Sequence, residues 1–221
     1  MAPGGRATGY DAEPMELLRG HRVAVASYGV AAAYAGWLLR QYGADVRHVR
    51  ALDPEGVGAF LAEGASFETT PPLEAAGCAV LVTDARVTAE NRAAIDRVRA
   101  TATVAWITPW GIDGTWAERP ATDLTLHAAG GWMAAVGEAG GEPLGPPGAQ
   151  GRLAAGLFAA MEVVHWLGLS ARERPHLISV PVVEAVAATC IYDVVSFQYV
   201  GRVRERSGER YAPTQPTLMT L

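Results

Sequence analysis

The chain has 221 residues, half of them hydrophobic, and a formal net charge of -5. That length can bury one full-sized core, and the acidic balance argues against a general nucleic-acid binder. All 18 basic residues are arginine, which excludes a phosphate-loop lysine and a Schiff-base lysine.

In chain order, residues 1–20 read as a flexible leader with Gly and Pro and no apolar core of signal-peptide length. "RVAVAS" (22–27) predicts a buried strand, and "VAAAYAGWLLRQYG" (30–43) a helix stopped at Gly43. "DVRHV" (45–49) predicts a second strand, 55–63 a weak helix, "AVLVT" (79–83) a third strand and 88–100 an amphipathic helix. "TVAWIT" (103–108) predicts a fourth strand, "WGIDGTWAERP" a loop, and 122–136 a helix. "GEAGGEPLGPPGAQG" is too dense in breakers to be regular. Residues 152–168 read as a helix, and "HLISVPVV" (176–183) as a fifth strand. Pro181 puts that strand at an edge or marks its end. An apolar run over 183–201 predicts one long helix, and the last twenty residues a polar tail or the start of a linker.

Strands alternating with helices give an α/β fold, Rossmann-like, with an open, mostly parallel sheet, helices on both faces and helices at the C-terminal end. The expected division is leader 1–20, one domain over 21–201 and tail 202–221. Ligands of such sheets bind beyond the carboxyl ends of the strands. The candidate segments are therefore "SYGVAAA", with Ser27, Tyr28 and Val30, then "RALDPEG" with Arg50, "TDARVTAEN" with Asp84, Arg86 and Arg92, and "TPWGIDGTW".

Other chemistry is not signalled. There is no G-x-G-x-x-G after the first strand and no G-x-S-x-G. His21, His48, His127, His165 and His176 lack metal-ligand spacing, and each reads as a surface or locally bonded residue, so no metal is expected. Cys78 and Cys190 form no metal-type pair and read as buried free thiols of a reducing compartment. No apolar run reaches the ~18 residues a membrane span needs. The expectation is a soluble, cytoplasmic protein with neither membrane nor nucleic acid as partner.

Four segments carry a family likeness: "YAGWLLRQYGADVRHVR" (34–50), "LVTDARVTAENR" (81–92), "ITPWGIDGTWAERPATDLTLHAAGGWM" (107–133) and "LAAGLFAAMEVVHWLGLSARERPHLISVPVVEA" (153–185). In that order they resemble the family III CoA-transferases, the group of formyl-CoA and carnitine CoA-transferases and the α-methylacyl-CoA racemases. The resemblance implies a Rossmann-like domain that takes coenzyme A or acyl-CoA at its strand ends. It also implies a reaction in which an aspartate carboxylate attacks the thioester, at a helix N-terminus suited to an anion. An acyl-enzyme anhydride and an aspartyl-CoA thioester follow before CoA moves to the acceptor acid.

The departures are specific. The family aspartate opens "DLAAGLFAA", and here that position is Arg152. A guanidinium cannot attack a thioester and stays protonated. The racemase histidine position is Thr122. The family's Gly-Pro after strand one is Ala32-Ala33, the glutamate closing strand two is Arg50, and the asparagine after strand three is Asp84, whereas Arg86 and Arg92 fall on basic positions. A phosphate-holding segment between strands two and three is missing, and family members are roughly twice as long. In that family one subunit's large domain and another's small domain build the active site, which implies a homo- or hetero-oligomer here, with a longer CoA-transferase subunit as one form of partner.

Arg152 then has three readings: a surface residue at a site that has lost its chemistry, an anion clamp added to the helix dipole, or a partner for another chain's acid. Asp123 reads as a first-turn or capping residue or as a catalytic acid. Glu162 lies ~15 Å further along the helix from Arg152 and replaces the nucleophile only if it points into the cleft. Trp110 and Trp116 read as a ligand edge or as a seal over core or interface. Two functions follow: a CoA-transferase completed by a partner, or a non-catalytic acyl-CoA-binding or scaffolding module.

Overall fold

A computed structural model describes residues 16–49, 57, 60, 61, 66, 67, 77–203, 205, 206 and 208. Among these, six strands form one sheet: β1 (Arg22–Ala26), β2 (Asp45–His48), β3 (Ser66–Phe67), β4 (Val80–Thr83), β5 (Thr103–Thr108) and β6 (Leu177–Pro181). Their order is β3-β2-β1-β4-β5-β6, and every neighbouring pair is parallel. The helices are α1 (Val30–Gln41), α2 (Ala89–Val98), α3 (Asp123–Ala129), α4 (Trp132–Ala135), α5 (Gln150–Gly168), α6 (Val182–Thr189) and α7 (Ile191–Val200).

Strand residues alternate between two buried layers, as period-two geometry requires. Val23, Val25, Val80, Val82 and Ile107 pack toward α1, α5 and α6. Ala24, Ala26, Leu81, Val104 and Trp106 pack toward Ile95 and Val98 of α2. On the first layer α5 lies directly over α1. A Cβ on Gly156 would stand 2.5 Å from the carbonyl oxygen of Ala31, and one on Gly36 would stand 2.8 Å from Val25. The small residues of "VAAAYAG" and "AAGLFAA" thus set the helix spacing rather than merely filling it.

Several expected elements change. β3 has no counterpart in the sequence reading, because two residues carry no period. The expected helix over 55–63 lies largely outside the described residues. The described end of the expected leader is not loose: Glu16–Leu18 form a 3-10 turn, Leu18 is buried, and its N–H donates to the Tyr42 carbonyl. Most of the tail over 202–221 lies outside the described residues.

The predicted helix over 122–136 divides into α3 and α4 at Gly130-Gly131. Gly131 takes a left-handed φ of 100°, and a Cβ on Gly130 would collide with Val186 of α6 at 2.3 Å. The predicted helix over 183–201 also divides, into α6 and α7, bent by 58°. There the Thr189 hydroxyl donates to the Val186 carbonyl (2.7 Å) and accepts from the Trp132 indole (2.5 Å), a local bond of the kind that bends helices. β6 is the edge strand and ends at Pro181, as its proline predicts. No single helix among the described residues is long and apolar enough to cross a membrane.

Candidate functional site

Strand order reverses between β1 and β4, so the loops after them part at that point and leave a crevice at the carboxyl end of the sheet. A cleft of about 460 Å³ opens there. Three of the four segments expected at the strand ends contribute to it, through Tyr28 and Gly29, through Asp84 and Arg86, and through Thr108 and Pro109. The fourth, with Arg50, lies outside the described residues.

Two helices point their N-termini at this cleft, and neither caps itself. The N-cap of α1 is Gly29 and that of α5 is Ala149, neither with a side-chain acceptor. Their orphan N–H groups need partners, and both find them on other elements. For α1 the partner is Asp84. Its Oδ1 accepts from the N–H groups of Tyr28 (2.6 Å) and Gly29 (3.3 Å), and its Oδ2 from that of Ala32 (3.2 Å).

The loop that delivers Asp84 is fixed on both sides. The Thr83 hydroxyl donates to the Ala26 carbonyl and accepts from the Ala85 N–H. The Trp106 indole N–H donates to the Ala85 carbonyl at 2.8 Å. Burial pushes the Asp84 carboxyl above its ordinary range, and the N–H groups of Tyr28, Ala32 and Gly29 pull it back.

For α5 the partner is His127, on α3. Its Nε2 accepts from the Gly151 N–H at 3.1 Å, and its ring lies 4.9 Å from that of Trp132. To accept there, the imidazole is neutral at Nε2. Burial lowers its pKa, against the opposing pull of Asp123. From the sequence, His127 reads only as a local or surface residue. The signal was the missing Ser, Thr, Asp or Asn before 150–168, which required a cap from elsewhere.

One turn before His127 on α3, Asp123 meets Arg152. The guanidinium Nε donates to Asp123 Oδ1 at 2.9 Å, with the two side chains 34% and 35% exposed. The N-cap of α3 is Thr122, which exchanges bonds with Thr125 in a capping box, so Asp123 is a first-turn residue. This pair is none of the three readings of Arg152 made from the sequence: the acid belongs to the same chain, not to another. The guanidinium also lines the cleft, and its Nη1 lies 3.8 Å from where a Cβ of Gly29 would stand.

Asp84 and Arg152 line the cleft, and Asp123, which does not line it, pairs with Arg152. Farther out the cleft is lined by Arg86, Glu118 and Arg119, with the Arg119 guanidinium 4.9 Å from the Trp116 ring centroid. Arg119 was not among the residues singled out from the sequence.

Other expected site residues stand apart. Ser27 is buried at the end of β1, and neither it nor Val30 lines the cleft. Arg92 is committed to the loop after β5, donating to the Ile112 carbonyl and pairing with Asp113 at 3.8 Å. Trp110 and Trp116 pack edge to face at 5.0 Å and do not line the cleft. Glu162 lines a different surface hollow, beside Glu184, so it cannot serve as a nucleophile in this cleft. Among the described residues, no group of three His, Cys, Asp or Glu side chains is placed to hold a metal ion.

Comparison with known proteins bears on the family and the fold. A family model described as CoA-transferase family III matches residues 96–219. A CAIB/BAIF family protein from Brucella suis superposes with a TM-score of 0.75 at 20% identity, covering 92% of this chain and 63% of that one. Rv3272 from Mycobacterium tuberculosis, in its orthorhombic form, superposes with a TM-score of 0.64 at 20% identity, covering 82% of this chain and 59% of that one. A second structure of Rv3272 gives 0.65 at 22% identity, with 82% and 59% covered. At these identities the likeness is one of fold, and the chain spans about three-fifths of the length of each. No curated protein matches.

Proposed function

This chain belongs to CoA-transferase family III, and we propose that it is an acyl-CoA-binding member without a nucleophile of its own. The single observation behind this reading is the Asp123–Arg152 pair. At the N-terminus where the family resemblance puts an attacking aspartate stands a cation, held by a carboxylate 2.9 Å away. A guanidinium has no nucleophilic lone pair at any working pH. Of the three carboxylates nearby, two are engaged and the third is exposed. Asp84 accepts three backbone bonds, Asp123 is paired, and Glu118 is exposed among the outer residues of the cleft.

The ligand chemistry supported best is that of an anionic thioester. Arg86 and Arg119 offer phosphate partners at the rim, and Ile107, Leu126 and Val182 offer apolar wall deeper in. Transfer chemistry, where it occurs, needs a carboxylate from a second polypeptide. Family III CoA-transferases are commonly oligomeric, and α7 supports an oligomer here: none of its residues is buried. Ile191, Tyr192, Phe197 and Val200 are each more than half exposed.

Calorimetry with CoA and an acyl-CoA tests the reading. The chain, alone or with its natural partner, binds them, and Arg86→Ala with Arg119→Ala weakens binding about ten-fold or more, the scale of two charged contacts. Absence of heat from both the chain and the complex contradicts it.

A further inference from the structure

The start of α1 sits where a doubly wound sheet ordinarily receives a ligand's phosphate, on the amides that follow the first strand. In this chain those amides are spoken for. The N–H groups of Tyr28, Gly29 and Ala32 all converge on one side chain, Asp84. Two of them share Oδ1 and the third uses Oδ2, so both atoms of the side chain must accept. A carboxylate meets that requirement, whereas an amide accepts through one atom only. Room for the carboxylate depends on Gly29, because a Cβ there would stand 3.3 Å from Oδ2.

We infer that Asp84 is a built-in anion: it fills, from inside the chain, the phosphate position at the α1 N-terminus and so determines which ligands the cleft admits. This rests on the reading of the cleft as a ligand site and adds a specificity to it. A phosphate cannot reach the α1 amides without displacing a carboxylate that carries the same charge and makes the same bonds. The phosphate groups of a ligand are therefore held farther out, at Arg86 and Arg119. Neither forms an ion pair among the described residues, and both line the same cleft. Asp84 is a specificity-determining residue in this account, not a catalytic one.

The test uses inorganic phosphate alone, so it does not depend on CoA binding. In the wild-type chain, titration with phosphate leaves the amide resonances of Tyr28, Gly29 and Ala32 unmoved. In Asp84→Ala the same titration shifts all three, with affinity at least about ten-fold above wild type. If that variant does not fold, Asp84→Asn serves instead. Its carboxamide has one acceptor atom, so either the Ala32 N–H or the Tyr28 and Gly29 N–H groups lose their acceptor, and phosphate shifts the resonances left unpaired. Phosphate-dependent shifts of these amides in wild type overturn the inference. So does a folded variant, Ala or Asn, whose amides ignore phosphate. Loss of CoA binding with the phosphate results intact removes the functional reading and leaves this one standing.

Discussion

His127 and His48 are buried neutral imidazoles that make stability depend on pH. Burial lowers the pKa of His48 to about 4, with the Arg40 charge adding to the effect, and it lowers that of His127. A histidine whose folded pKa is depressed contributes stability that is complete above its unfolded value of 6.5. That contribution is lost as pH falls from there toward the folded value. For His48 the window runs from 6.5 to about 4, and the full loss is about 3 kcal/mol. Asp84 has the opposite sign: its folded pKa is raised, so protonation on acidification favours the folded state. Urea unfolding from pH 7 to pH 4.5 therefore shows a fall that is shallower in His48→Gln and His127→Gln than in wild type. Equal slopes in all three refute it. At pH 7, His127→Ala costs about 1–3 kcal/mol for the bare Gly151 N–H, while His127→Gln retains an acceptor and costs less. At this scale the sequence was partly legible. Arg152, Asp84 and Arg86 were readable because a strand end or a helix start marks each. His127 and Arg119 were not, because their roles depend on the meeting of α3 with α5 and on the fold of the loop after β5.

At the scale of elements, helix contacts turn on single glycines. Ala has a better helix propensity than Gly by about 1 kcal/mol, so intrinsic preference favours Gly156→Ala. The contact does not, since the new Cβ would meet the Ala31 carbonyl oxygen at 2.5 Å. Forcing α5 off α1 costs about 1–3 kcal/mol, which exceeds the propensity gain. Gly156→Ala therefore lowers the melting temperature, and a rise in that temperature contradicts the close contact. The strands β1, β2, β4, β5 and β6 were legible because apolar runs bounded by breakers mark them. The breaks after α3 and α6 were not, although Gly130-Gly131 was in plain view. Gly130 is required by the approach of Val186, a contact between segments more than fifty residues apart.

At the scale of the whole molecule, α7 is a helix left without a buried residue. A helix with apolar residues on every side and none buried belongs at an interface. The chain also spans 63% and 59% of the first two structures it resembles. Sedimentation of the wild-type chain is expected to give a mass above the 23.2 kDa of one copy, alone or with its natural partner. Phe197→Asp with Ile191→Asp returns it to one copy without lowering its melting temperature by more than the lost interface explains. A wild-type chain that stays monomeric with every partner offered contradicts this. The central claim, that the cleft binds an acyl-CoA but has no nucleophile, is tested most directly by intact-protein mass spectrometry after incubation with acyl-CoA. The predicted result is an unmodified chain, at saturating ligand as well. A hydroxylamine-sensitive adduct of acyl or CoA mass on this chain would contradict it.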